Sequence, residues 1–243
     1  MIIPSLHPWD VPPREAVRIQ RDLKNKLILK RKAGLVRLVA GCDIALDPVS
    51  NTGFGGVIVY SYPDLAEVER KSAFLTLRFP YIPGLLAFRE GPVLLEVIAS
   101  LENAPDVFIF DGQGIAHPRG LGIASHLGLF LDRPTIGCAK SRLYGTYEEP
   151  AWPKGSFSPL LDAQGKPCGA VLRTRDHVKP VFVSPGHRMD LKSAVEITLA
   201  CVDGLRIPKP TREADHFVES LKRRSLVPPP SLTYTKKEAV KDG

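Results

Sequence analysis

The segment LVRLVAGCDIAL (residues 35–46), followed by GGVIVYSY (55–62) and EVERKSAFLTL (67–77), decides the fold class. Each run is rich in β-branched, aromatic or alternating apolar residues, and turn-forming clusters such as DPVSNTG separate them. Connections this short make the three strands an antiparallel meander. Working outward, Ala16, Ile19, Leu23 and Leu27 recur at helical spacing, which predicts an amphipathic helix over 13–32 that ends near Gly34. Downstream the pattern alternates: a helix over 89–102, the buried strand DVFIFD (106–111), a helix over 119–131 and the strand PTIGCAK (134–140). After a Pro/Gly-rich excursion containing Trp152, three short strand signals lead to PVFVSPGHR (180–188), a helix over 190–203 and a last helix from 211 to 223.

The class is therefore α/β. A chain of 243 residues, 44% hydrophobic, can bury one sizeable core, so residues 1–224 read as a single domain. The proline- and lysine-containing tail, 225–243, is expected to be disordered. A three-stranded meander followed by alternating helix and strand is the order of a ribonuclease H-like fold, a central mixed sheet flanked by helices, among several α/β topologies that the pattern leaves open.

The start, MIIPSLHPWDVPPRE, lacks a basic stretch leading into an apolar one, and no apolar run reaches the ~18 residues of a membrane span. A soluble, cytoplasmic protein without a membrane partner is expected. Cys42, Cys138, Cys168 and Cys201 sit singly in apolar surroundings, which suits small buried hydrophobes rather than zinc ligands or disulfides. No heptad pattern is present, so a monomer is expected. The net charge of +7 is unevenly placed. Residues 14–37 hold nine Lys/Arg against Glu15 and Asp22, whereas residues 38–220 carry 18 Lys/Arg against 21 Asp/Glu. A cationic periphery beside an acidic centre suits phosphodiester chemistry, with Lys/Arg on phosphates and carboxylates on a metal. A solvated basic helix explains the first part equally well.

The chemistry concentrates in RFPYIPGLLAFREGP (78–92) and FIFDGQGIAHPRGLGIASH (108–126). Asp43 lies in the first strand, Asp111 ends a neighbouring strand, and Glu90 opens the intervening helix. Two carboxylates ~4 Å apart repel by ~4 kcal/mol at an effective dielectric near 20, so a cluster of three needs a cation or protonation. Oxygen donors of this kind suit Mg²⁺, with Mn²⁺ as a substitute. Lys140, after PTIGCA, can hold a phosphate oxygen or position a water. His117 can contact phosphate or assist proton transfer, and His126 can support the site from behind or simply pack in the core. In Pro80, Tyr81, Ile82 and Pro83, two prolines stiffen a loop that can press an aromatic ring against a base step. His187 and Arg188 read as a turn.

These segments, with VAGCDIAL around Asp43, resemble endonuclease V, and the match covers most of residues 36–216. The resemblance implies a hydrolase that nicks DNA at deoxyinosine, the product of adenine deamination, cutting the second phosphodiester bond on its 3′ side to leave 3′-hydroxyl and 5′-phosphate ends. It makes Asp43, Asp111 and Glu90 the metal site, Lys140 a functional lysine, and Pro80–Pro83 the strand-separating wedge. Gly84, Leu86, Gly112, Gly122 and Ile123 would enclose the flipped base. PTREAD (210–215) brings Asp215 towards the metals, although Lys209 stands where the family pattern has an acidic residue. Inosine-containing RNA is the alternative substrate, and a non-catalytic nucleic-acid-binding module the alternative class.

Overall fold

The structure, a computed structural model, describes residues 2–32 and 34–226. Strands β1 (Leu38–Asp47), β2 (Thr52–Ser61) and β3 (Glu67–Thr76) form the expected meander. Helix α2 (Leu86–Ala99) leads to β4 (Val107–Phe110), and α3 (Ile123–Leu131) leads to β5 (Thr135–Ala139). Strands β6 (Phe157–Leu161), β7 (Pro167–Leu172) and β8 (Val181–Pro185) follow, then α4 (Leu191–Ala200) and α5 (Lys209–Leu226). All eight strands make one mixed sheet in the order β3-β2-β1-β4-β5-β8-β7-β6, in which β1, β4 and β5 run parallel.

Period-two alternation sorts the side chains of the central strands to two cores. Ala40, Cys42, Phe108 and Phe110 face α2 and α3, through Leu94, Val97, Ile98, Ile123 and Leu127. Val39, Val107 and Ile109 face the opposite layer, where Val195 and Ile197 of α4 and Phe217 of α5 pack. Two glycines let α5 settle onto this second face. A Cβ on Gly41 would lie 2.0 Å from the Pro210 carbonyl oxygen, and one on Gly56 would lie 2.6 Å from Val218 Cγ1. Close approach here lowers α5 over the end of β1. All four cysteines are buried and unpaired, as expected.

Helix ends differ from the sequence reading for identifiable reasons. Helix α1 stops at Lys24, because the chain beyond it is drawn away by long-range bonds: Ile28 N donates to His187 Nδ1 and Arg31 N to Asp190 Oδ2. The basic segment is therefore half helix and half extended chain. Helix α2 begins at Leu86 rather than Arg89 and carries Pro92 in its second turn, the lost bond being offset by burial of Val93, Leu94 and Val97. Helix α3 begins at Ile123 rather than Arg119, since Gly122 must pass the Gln113 carbonyl, which an added Cβ would approach to 2.3 Å. Two strands, β6 and β7, and a bridge between Thr146 and Leu161 occupy the region of the three strand signals. Helix α5 runs through Ser225 and Leu226, so the expected tail starts too early there, and its remainder lies outside the described residues. Among the described residues no helix is long and apolar enough to cross a membrane.

Filling the gap beneath α5 should be costly. Gly41→Ala is expected to destabilise the protein by about 1–3 kcal/mol, the usual scale of overpacking. In a chain of this size that lowers Tm by roughly 3–10 °C, read by thermal unfolding; an unchanged Tm would show that α5 does not depend on the contact.

Candidate active site

The parallel pairing of β1 with β4 sets Cys42 beside Phe110, and Asp111 N continues the ladder by donating to the Cys42 carbonyl at 3.1 Å. Asp43, in the middle of β1, and Asp111, one residue past the end of β4, are thus held side by side. Strand β5, on the far side of β4, delivers Lys140 to the same end. Its Nζ lies 2.7 Å from Asp111 Oδ2 and 3.1 Å from Asp215 Oδ2, the latter brought over β1 by α5. Glu90, on the buried face of α2, approaches from the other layer.

The electrostatics follow from that crowding. Burial and then the Asp111 charge push the Asp43 carboxyl up to about 8, against the bond it accepts from Ile44 N at 2.8 Å. Burial and then Asp111 likewise raise Glu90 to about 8, with Arg89 opposing. Burial disfavours the Lys140 ammonium, but its bonds to Asp111 and Asp215 more than compensate and raise its pKa. Among the described residues no three acidic, histidine or cysteine side chains converge closely enough to hold one ion as they stand. The Lys140 ammonium occupies the space between two of the acids instead. The donor set nevertheless fits a hard divalent cation: carboxylate oxygens alone, crowded so that two of them resist ionisation without added positive charge.

Next to the acids lies a cavity of about 120 Å³ lined by Tyr81, Ile82, Pro83, Gly84, Leu86, Gly112, Gly122 and Ile123, among others. That equals roughly four water volumes, room for one base rather than a nucleotide. The loop carrying Tyr81 is pinned at both ends. Arg89 Nη1 donates to Phe79 O at 2.7 Å, and Gly84, at φ +79, offers its carbonyl to three side chains. Tyr81 itself is 67% exposed. Pro80 flanks the cavity without lining it.

A family model described as endonuclease V matches residues 21–216. An endonuclease V from Methanothrix thermoacetophila is 50% identical over 222 residues, 91% of this chain and 96% of that one. The crystal structure of the Streptomyces avermitilis endonuclease V superposes with a TM-score of 0.86 at 39% identity, covering 93% of this chain and 98% of the other. A variant of the Ciona intestinalis endonuclease V, crystallised with a 23mer DNA containing an inosine followed by a ribo-adenosine, gives a TM-score of 0.78 at 28% identity over 88% of this chain and 100% of that one. The chain belongs to the endonuclease V family. It is accordingly a nuclease, a hydrolase, with the ribonuclease H-like α/β architecture that the strand order implied.

Within this endonuclease V fold, two histidines are held by specific partners. His117 is buried, its Nδ1 accepts from Arg119 N at 3.1 Å, and so its Nε2–H donates to Gly84 O at 3.0 Å. Burial, then the Arg119 charge, lowers it to about 4. Both ring nitrogens are engaged, and the residue ties the Pro80–Pro83 loop to the segment after β4. His126 packs in an aromatic cluster with Trp9, Phe88 and Phe130, its Nε2 2.7 Å from His7 Nε2. It takes the core role, in contact with the residue two positions before Glu90. Lys209, the departure from the acidic pattern, bonds to the Leu65 carbonyl and lies over Tyr60, apart from Lys140 and Asp111. His187 and Arg188 both bond to Asp132.

Sequence reasoning missed Gln20, Gln113, Leu121 and Leu143, which also line the cavity. For Gln20 a signal existed: it is a polar residue inside the apolar stripe of α1, beside Ile19 and Leu23.

The raised carboxyls make stability depend on pH in a defined sense. Unfolded carboxyls titrate near 4, so the stability associated with protonated Asp43 and Glu90 is complete below that pH and is lost as pH rises through about 8. In chelator, Asp43→Asn should therefore come closest to the parent at pH 4 and exceed it by roughly 1–3 kcal/mol at pH 8.5, the scale of relieving one buried charge. Chemical denaturation at the two pH values decides; equal stability at pH 8.5 would reject the crowding.

Proposed function

We propose that this protein recognises deoxyinosine in DNA and hydrolyses the second phosphodiester bond on its 3′ side, as a monomeric, cytoplasmic enzyme whose working unit is the single domain that ends with α5. One observation carries the reading: Asp111 belongs to the acidic cluster and the very next residue, Gly112, lines the base-sized cavity. Recognition and cleavage are thus joined by one peptide bond. The Ciona intestinalis relative was crystallised with inosine-containing DNA, which supports the same ligand here.

In this mechanism Tyr81, exposed between Pro80 and Pro83, takes the stacking place of the extruded base, and Ile82 supports it. The base enters between Gly84 and Leu86 on one side and Gly112, Gly122 and Ile123 on the other, where backbone groups meet its polar edge. Asp43, Glu90 and Asp111, with Asp215 nearby, would hold Mg²⁺, or Mn²⁺ in its place, which when bound lowers the pKa of a water and stabilises the leaving 3′ oxygen. Lys140 holds a nonbridging phosphate oxygen. Water adds to phosphorus, the bond from phosphorus to the 3′ oxygen breaks, and the products are a 3′-hydroxyl and a 5′-phosphate. The basic residues of α1 and the following extended chain contact backbone phosphates, an attraction that weakens with salt.

Inosine-containing RNA is a second reading with its own support, because the Ciona intestinalis complex carries a ribo-adenosine directly after the inosine. A 2′-hydroxyl at that place is compatible with binding to that protein.

The test is cleavage of end-labelled strands bearing one inosine, as DNA, RNA and a chimera with one ribonucleotide after the lesion, with Mg²⁺ and with chelator. A Mg²⁺-dependent nick at the second bond in DNA is expected, and cutting of RNA alone would move the assignment to that substrate. Asp111→Ala should lower the rate by roughly 10³-fold or more; undiminished nicking would end the metal-site reading. Tyr81→Ala should still nick but lose most of its preference for the lesion over unmodified duplex, measured as a ratio of rates.

A further inference from the structure

Gln20 lies one residue before the segment that the family model matches, on the apolar face of α1, and is 1% exposed. Its amide orientation is fixed by its neighbours. Nε2 donates to Gly84 O at 3.0 Å and to Leu121 O at 3.2 Å, while Oε1 accepts from Arg119 Nε at 2.5 Å. Arg119 in turn donates through Nη2 to the same Gly84 carbonyl at 2.5 Å, beside His117 at 3.0 Å. Gly84 and Leu121 come from two different segments that line the base-sized cavity: Gly84 closes the PYIP loop, and Leu121 precedes Gly122 and Ile123. One side chain therefore joins the two segments.

We propose that Gln20 is a positioning residue that sets the width of the lesion pocket by tying the Gly84 and Leu121 carbonyls together, and so confers selectivity for hypoxanthine over bases with an exocyclic group at C2. The proposal rests on the pocket assignment made above. A buried amide is costly unless its polar atoms are bonded, and here every bond it makes goes to the pocket frame. Helix α1 supplies a firm anchor, since Ala16, Ile19 and Leu23 pack on Phe79, Leu85, Phe88 and Leu121 around it. The space at Gly84 is filled: a Cβ there would meet Arg119 Nη2 at 2.6 Å, and its positive φ disfavours other residues. Hypoxanthine carries only hydrogen at C2, whereas xanthine carries an oxygen and guanine an amino group. A pocket held at fixed width admits the first more readily than the others.

The experiment compares kcat/KM on duplexes holding a single deoxyinosine, a single deoxyxanthosine or no lesion, for the parent protein, Gln20→Met and Gln20→Glu. Gln20→Met removes every bond at similar length. Gln20→Glu keeps an acceptor for Arg119 and loses both donors to the carbonyls, so it isolates the tie itself and carries the test alone should the methionine variant not fold. Both variants should show an inosine-to-xanthosine selectivity ratio reduced by about tenfold or more, the scale on which a pocket discriminates one small group. A merely structural loss lowers the fraction of active protein and scales all substrates alike, leaving the ratio unchanged. A parental ratio in folded Gln20→Glu overturns the proposal while leaving the function intact. Failure of the parent protein to cut inosine-containing DNA or RNA overturns both.

Discussion

The hydrogen bond from Asp111 N to the Cys42 carbonyl is the constraint around which the rest is arranged. It fixes the register at which β4 runs out beside β1, and so sets Asp111 next to Asp43 of the continuing strand. Neither strand can shift by one residue to relieve them, because the same register sends Ala40, Cys42, Phe108 and Phe110 to one core and Val39, Val107 and Ile109 to the other. The remaining elements answer the resulting negative charge. Strand β5 supplies Lys140, and the gap left by Gly41 and Gly56 admits α5 with Asp215, which shares that lysine. Glu90 adds to the crowding from a helix with no cation of its own at that point beyond its neighbour Arg89. Protein packed this way is not at its stability optimum, and the surplus negative potential is what makes the site receptive to a cation.

A second consequence follows from where Asp111 ends and Gly112 begins. The loop after β4 turns directly from the acids into the base-sized cavity, and its partner walls come from the starts of α2 and α3. Both helices begin at this cavity: their first residues, Leu86 and Ile123, line it, and Ile123 also belongs to the core.

The meander, the buried strand DVFIFD and the two-sided sheet were legible because their patterns are local: alternation, turn clusters and short connections. Asp43, Asp111, Glu90 and Lys140 were singled out by their motifs, and the register of β1 and β4 with the end of β5 brings Asp43, Asp111 and Lys140 together. Gly84, Leu86, Gly112, Gly122 and Ile123 were legible only through the family resemblance, since nothing in a lone glycine tells which cavity it faces. What could not be read is set by bonds between distant segments. Helix α1 ends early because His187 and Asp190 capture the chain beyond it. His117 looked like a phosphate or proton-transfer group, yet its two nitrogens are consumed by Arg119 N and Gly84 O. His126 was ambiguous from sequence and is settled by the ring contacts with His7, Trp9, Phe88 and Phe130, residues spread over most of the chain.

The same network bears on how a base can be drawn out of a duplex. Extrusion costs a few kcal/mol of stacking and pairing, and a loop that yielded under that load would do no work on the duplex. The wedge loop is built against yielding: prolines on both sides of Tyr81 and Ile82, Arg89 on the Phe79 carbonyl, and Gln20, His117 and Arg119 all on the Gly84 carbonyl. A carbonyl oxygen has two lone pairs, which the three donors share, and of the three Gln20 also bonds the Leu121 carbonyl. Helix α1 contributes twice, presenting arginine and lysine outward where phosphates would lie and Gln20 inward to the pocket frame. The basic surface of α1 and the frame around Gly84 are thus two faces of one helix.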